Sequence, residues 1–397
     1  MEAYIFDWLN MFFRWLHVIT GVAWIGASFY FVWLDLSLRE PPQWKKDKGI
    51  KGDLWAIHGG GIYEVAKYQL EPEKMPKTLH WFKWEAYTTW LTGFTLMTVM
   101  YYWGADQYLI DPSKMDLTQW QAIGISAAFL IGGFIFYEAL IKSPLQHYPK
   151  VFGGILFVGL VAAAYVLGEI FSDRAAYIHV GALIGSIMAG NVFFGIMPAQ
   201  RELVRAIEAG ETPDPGPSAF AKLRSTHNNY FTLPLLFIMI SNHYPMTYGH
   251  EHAWLILALI CLNAAFVRHY FNLKHQDNHQ PWILVAGTVI LFAIVGYMIP
   301  KPVELTDSNF VTDTRIVEIS GLRCASCHAD KPTNPAFTAA PAGISLETIE
   351  QLNANKVRVI QAVQTNYMPL GNMTNMTDEE RSEMIIWASQ KETINAM

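Results

Sequence analysis

Cys324-Ala325-Ser326-Cys327-His328 is the stretch with the most specific chemistry in the chain. Two cysteines three positions apart, followed at once by histidine, form the attachment pattern of a c-type haem. The spacing has a chemical reason. Two thiols add across the two vinyl groups of one porphyrin, and the next residue offers an imidazole to the iron. Half of a zinc site is the competing reading, but no second cysteine pair exists to complete a tetrad. The third cysteine, Cys261, lies in a strongly apolar run, where a buried, inert thiol is the default. Covalent haems of this kind are made on the outer side of the bacterial cytoplasmic membrane. The residues near 324 are therefore expected to face the periplasm.

The sixth iron ligand should be a thioether or a second imidazole. No histidine follows His328, which leaves Met368, Met373, Met376 and Met384. Met368 precedes Pro369 between two helical patterns, forty residues after His328. Small class I cytochromes c, which this part of the chain resembles, place their axial Met-Pro there, so Met368 is the expected ligand and Met384 a core residue. A thioether raises the reduction potential relative to bis-histidine ligation. Such a haem suits an electron exit towards an oxidase.

These groups must be carried by a suitable scaffold. Of 397 residues, 52% are hydrophobic and only 16% charged, against about 25% charged in soluble domains. That is a membrane composition diluted by one polar portion. The net charge of −6 and the lack of a basic stripe argue against nucleic acid. The N-terminus has no basic leader region or small-residue cleavage site, so the first apolar run is expected to be retained.

Apolar runs long enough for a bilayer, about 20 residues each, lie near 11–36, 84–103, 119–141, 151–170, 176–197, 228–244, 253–271 and 281–300. The expected fold is all-α. An eight-helix transmembrane bundle (1–300) is joined by a polar linker (301–313), beginning Pro300-Lys301-Pro302, to a mono-haem cytochrome c domain (314–397). With eight spans and a periplasmic haem, the N-terminus is periplasmic too. The positive-inside rule gives an independent check. Loops 39–83, 142–150, 198–224 and 268–280, placed inside, hold seventeen Lys and Arg, whereas loops 104–117, 171–175 and 245–252, placed outside, hold only Lys114 and Arg174.

Within loop 39–83, Asp53–His58 and Ile62–Tyr68 flank Gly59-Gly60-Gly61 and predict a hairpin with a glycine turn. It is either a structural cap or a polar mouth lined by His58, Tyr63 and Lys67. The triple glycine lacks the Lys-Ser/Thr of a phosphate loop. Residues 199–209 predict a short amphipathic surface helix, after which Pro213, Pro215 and Pro217 break the chain. In the C-terminal domain, Ser345 is the expected N-cap of a helix over 346–353 and Asn355 of one over 356–364. Thr377 to Glu380 reads as a capping box opening a helix over 378–391.

Ionisable groups at membrane depth are functional candidates because they are costly there. Orientation places His17, His179, His243 and His252 towards the periplasm, and His80, His227 and His269 towards the cytoplasm, with His147 in a neighbouring loop. Such histidines could hold non-covalent haem b, with His17, His179, His80, His227 and His269 as candidates; hydrogen bonding inside the bundle is the plain alternative. Arg14, His17, Gly21, Trp24 and Ser28 share one face of the first span, where Arg14 could pair a propionate. Glu138, Glu169 and Asn191 are further polar groups, serving a proton path, a substrate or interhelical bonding.

Trp15-Leu16-His17-Val18-Ile19-Thr20-Gly21-Val22-Ala23-Trp24-Ile25-Gly26-Ala27, the loop Trp55–Tyr63 and the tail Met368-Pro369-Leu370-Gly371-Asn372-Met373-Thr374 together resemble the bacterial membrane-bound, cytochrome-linked urate oxidases, essentially end to end. The resemblance implies oxidation of urate to 5-hydroxyisourate, with electrons passed to the fused cytochrome and on to a terminal cytochrome oxidase or a soluble cytochrome c. It carries over no catalytic residues. The haem motif by itself is silent on substrate, so a quinol-oxidising respiratory cytochrome and a membrane-anchored electron carrier remain open at this point.

Overall fold

A computed structural model describes residues 1–70, 72, 75–299 and 310–390. Pro300, most of the expected linker and the tail from 391 lie outside the described residues. The chain is mostly helical. Its first part comprises α1 (Glu2–Ser37), α2 (Gln43–Lys46), β1 (Ile50–His58), β2 (Gly61–Tyr68), α3 (Trp84–Met97), α4 (Ala105–Tyr108), α5 (Gln119–Lys142), α6 (Pro149–Ile170), α7 (Asp173–Gly190), α8 (Met197–Glu208), α9 (Pro215–Ser241), α10 (Pro245–Tyr248), α11 (Ala253–Lys274) and α12 (Trp282–Tyr297). The C-terminal part has α13 (Asp313–Arg323), α14 (Ile349–Ala354), α15 (Lys356–Gln364) and α16 (Asp378–Ser389).

Helices stand at each expected apolar run. Five stretches, Tyr4–Ser37, Gln119–Lys142, Pro149–Ile170, Asp173–Glu208 and Ala253–Lys274, are long and apolar enough to cross a bilayer, and α12 is apolar but shorter. α3 has 14 residues before a π-helical stretch takes over at Thr98–Trp103. α9 buries Arg224, Asn228 and Asn229, which lower its apolarity.

Contacts between loops sort the bundle into two ends. At one end Phe6 packs on Trp103 and Tyr108, Ile110 pairs with Phe171, and Arg174 donates to Asn242 at 2.9 Å. At the other end Arg39 pairs with Asp277 at 3.0 Å, and Lys222 with Asp35 at 2.8 Å. The N-terminus therefore shares an end with the loops after α3, α6 and α9, which requires an even number of passes between Phe6 and that end.

The hairpin forms as expected. Gly59 and Gly60 have φ of +57° and +80°, and positive φ at both central residues is what a two-residue turn matched to strand twist requires. Lys45 binds Asp53 and Glu64, and Lys67 binds Asp35, so the hairpin is fastened to α2 and to the end of α1. His58, Tyr63 and Lys67 lie exposed, which favours a structural cap over a polar mouth.

Three expectations need correction. Residues 199–209 are not a separate surface helix: α7, a π-helical stretch (Asn191–Ile196) and α8 run on as one rod. Pro215 and Pro217 open α9 instead of breaking the chain, because the first helical turn has no use for their missing N–H groups, and Asp214 accepts from the Gly216 N–H at 2.9 Å. Ser345 caps nothing. α14 starts later, capped reciprocally by Thr348 and Gln351, while Ser345 donates to Asp330 at 2.6 Å. Asn355 precedes α15 as expected, but its amide donates back to Gln351 and makes no cap bond.

The C-terminal unit has its own core, drawn only from residues 311–388, with Ile316, Ile319, Leu352, Met384 and Trp387 at its centre. Met384 is fully buried there, as expected. Thr377 and Glu380 form the expected capping box of α16. Arg323 also grips the Glu380 carboxylate at 2.9 Å and the Thr374 carbonyl at 2.5 Å. Thr377→Ala is expected to destabilise this unit by about 1 kcal/mol, seen as a lowered C-terminal transition in calorimetry of the full chain.

Candidate functional site

The haem-motif residues sit where α13 closes. The Cys324 N–H donates to Ser320 and the His328 N–H to Cys324, both at 2.8 Å. One tight turn thus presents both thiols and the imidazole together. The Nδ1 of His328 lies 2.9 Å from the Ile344 carbonyl. A carbonyl only accepts, so Nδ1 carries the proton and Nε2 keeps its lone pair. Cys324, Cys327, His328 and Met368 all line one cavity of about 740 Å³, walled by Phe337, Ile344, Leu346 and Val359 among others. Burial in this apolar slot pushes the Cys324 thiol up to about 11.

Met373 and Met376 line the same cavity. The Met373 sulfur accepts from Asn334 at 3.8 Å, and Met376 is packed into the core. Met368 is held by its backbone: its N–H donates to Ala362 at 3.1 Å, and its carbonyl accepts from Arg381 at 2.7 Å.

The cavity is closed on its far side by the bundle, through Tyr108, Arg174, His243, Tyr244 and Met246. The two units meet closely. A Cβ on Gly249 would lie 1.6 Å from the Thr365 carbonyl, and one on Gly371 would lie 2.7 Å from that of Ile110. Glycine is needed at both positions for the backbones to approach. Next to this cavity is a second, of about 520 Å³, lined mainly by polar groups. Tyr108, Arg174, Tyr367, Leu370 and Met376 border both cavities.

The five histidines considered for haem b are placed as follows. His179 is buried with both ring nitrogens engaged, by Ser126 at 2.8 Å and the Ala175 carbonyl at 2.7 Å. His17 faces the Thr89 carbonyl at 3.0 Å and Thr92 at 3.2 Å through Nδ1. His227 pairs with Tyr137 at 2.9 Å and stacks on Phe152, and His269 pairs with Tyr230 at 2.7 Å. His80 is exposed beside Phe82. Bonding inside the bundle is what four of the five do in this structure.

Glu138 and Asn191 do come together, on Arg224. This guanidinium, 1% exposed, binds Glu138 through two nitrogens at 2.5 and 3.0 Å and Asn191 at 2.8 Å. Asn191 goes on to Tyr137 and Asn228. The π-helical stretch brings Gly195 against Arg224, where a Cβ would lie 2.2 Å from its Cδ. Glu169 lies apart, exposed. A second buried cation, Arg268, donates to Asn229 at 2.5 Å and covers the Phe29 ring.

The bundle has five stretches long and apolar enough to cross a membrane, and two thiols and an imidazole share one turn at one of its ends. The chain matches the family described as Urate oxidase N-terminal over residues 3–299. The chain belongs to that family, and this supports a urate-related oxidase function. No curated protein and no solved structure matches it.

Proposed function

We propose that this chain oxidises urate to 5-hydroxyisourate and releases the electrons through a covalently held c-type haem in its C-terminal unit. Membership of the urate oxidase N-terminal family supports the substrate. The observation that carries the electron route is the cavity joining Cys324, Cys327, His328 and Met368, closed by residues of the family-matched bundle. The donor set fits the group: two thiols and an imidazole on one turn, with Nδ1 tied back so that Nε2 is free for iron. When bound, the haem supplies a one-electron acceptor of raised potential.

The balance is simple. The urate monoanion and one water give 5-hydroxyisourate, two electrons and one proton. A C–O bond forms at the oxidised ring carbon, and the water O–H protons are divided between product and solvent. Each turnover therefore discharges two electrons to an external one-electron acceptor, a terminal cytochrome oxidase or a soluble cytochrome c. The chain is read as a protein of the bacterial cytoplasmic membrane, with the cradle and N-terminus on the periplasmic side. Leaving out Arg224 and Arg268, which are buried in helices, fifteen Lys and Arg of the opposite loops support that orientation.

Anaerobic mixing tests the assignment. Urate alone is expected to reduce the c-haem bands. Reduction by a quinol alone would make this a quinol-oxidising cytochrome, and reduction by neither would leave only an electron carrier. Met368→Ala is expected to lower the haem midpoint by about a tenth of a volt or more, whereas Met384→Leu leaves it unchanged; redox titration with optical detection reads both.

A further inference from the structure

Family membership does not say where urate binds. We propose that urate occupies the polar cavity between the bundle and the C-terminal unit, with Arg174 as the cation that holds the anion and Tyr248 as a hydroxyl donor. This rests on the urate oxidase reading and locates its substrate.

The first observation comes from charge. Arg174 and Lys114 are the only cations in the sparsely charged loops at this end, 104–117, 171–175 and 245–252, and both line this cavity. Arg381, from the C-terminal unit, lines it too, with its guanidinium nitrogens given to the Val363 and Met368 carbonyls and to Asn372. The three are not equivalent. Lys114 is already neutralised by Asp173 at 2.5 Å and bonded to the Gly168 carbonyl at 2.8 Å. Arg174 forms no ion pair with a carboxylate among the described residues. Its Nε donates to Asn242 at 2.9 Å and its guanidinium lies over Tyr108, 5.4 Å from the ring centroid. A largely buried cation without a counterion is costly, and an anionic ligand would supply the missing charge.

The second observation is independent. Tyr248, 2% exposed, lines the same cavity, and its hydroxyl has no partner. A buried hydroxyl without a hydrogen bond costs stability, so it too points to a ligand. The cavity also suits a flat, polar, aromatic anion. Tyr108 and Tyr367 contribute aromatic side chains to its lining, and the side-chain amides of Gln107, Asn366 and Asn375 can meet carbonyl and N–H edges. Carboxylates line it as well: Asp111, Asp173, Asp378 and Glu379. None of them reaches the wall shared with the thiol cavity, where Arg174 is the one charged group.

That wall gives the site its use. Urate beside Arg174 is separated from the cradle only by Tyr108, Arg174, Tyr367, Leu370 and Met376. A haem held by Cys324, Cys327 and His328 would accept the two electrons of urate one at a time across this wall, while the proton leaves through the polar cavity. No passage across a hydrocarbon core of about 30 Å is needed, so the internal hydrogen bonds of His179, His227 and His269 can remain as they are.

The test is urate binding to full-length holoprotein, reduced with dithionite so that bound urate is not consumed. Equilibrium dialysis with labelled urate reads the dissociation constant, and a redox titration reads the haem midpoint. Arg174→Gln is expected to weaken binding at least about tenfold with the midpoint little changed, and Arg174→Lys to restore part of it. Tyr248→Phe removes only an unpartnered hydroxyl, so the fold should tolerate it. Weakening by about threefold or more is expected. Unchanged binding in Tyr248→Phe and Arg174→Gln, or a shifted midpoint with unchanged binding, would overturn the placement; the latter assigns Arg174 to the haem. Weakening by Arg268→Gln alone would move the site to the opposite end. If wild-type protein binds no urate at all, the urate oxidase reading itself fails.

Discussion

Replacing Cys324 and Cys327 together by serine is expected to remove haem from the denatured polypeptide altogether and to reduce urate-dependent electron delivery to background. On the proposed attachment each thiol would make one thioether bond, and both thiols sit on the same turn. The effect should extend beyond electron transfer. The C-terminal unit is small, and a unit of this size has a thin core. The cavity lined by Ile344, Leu346, Val359 and Val363 is then left without its apolar filling. Loss of the C-terminal transition in calorimetry should accompany loss of the haem-stained band. Either single variant is expected to keep haem through the remaining thiol, at lower yield. A double variant that still carries haem through denaturation would show that attachment lies elsewhere.

The second large effect is expected deep in the bundle. Arg224→Met should destabilise the protein by about 3 kcal/mol or more, because it removes one partner of a buried pair and leaves Glu138 and Asn191 facing an apolar side chain. Neutral interhelical bonds in membranes are worth only about 0.6 kcal/mol each. The larger figure depends on Glu138 being left a carboxylate, with Lys142 at 2.9 Å as its remaining partner. Adding Glu138→Gln to Arg224→Met should therefore recover part of the loss, a coupling that a thermal unfolding cycle of the four proteins measures directly. Strict additivity would mean that the pair carries no stability.

Much of this was legible in the chain. The apolar runs, the glycine hairpin and the capping box at Thr377 each rest on local rules, and each appears where local rules put it. What local rules missed depended on distant partners. Ser345 satisfies the local pattern for an N-cap, but Asp330 takes its hydroxyl, and Thr348 has the better partner in Gln351. The prolines at 215 and 217 signal a break, yet a helix start has the same signature. Glu138 and Asn191 were visible as polar groups at membrane depth, whereas Arg224 was counted among loop cations because α9 begins before its apolar run does. Arg174 stood out only as one of two cations at a cation-poor end. Its meaning came from the packing of two units that the sequence lists far apart. Tyr248 carried no sequence signal, since an unpartnered hydroxyl exists only in three dimensions.

An anaerobic titration of the oxidised protein with urate, followed at the haem bands, tests the proposed wiring most directly. Urate yields two electrons and each chain is proposed to hold one c-type haem as acceptor. Full reduction is therefore expected at half an equivalent of urate per chain, with 5-hydroxyisourate formed in the same amount and no oxygen required. Haem that stays oxidised while urate disappears, or that needs oxygen before it responds, would mean that the electrons do not leave through the cradle at Cys324 and Cys327.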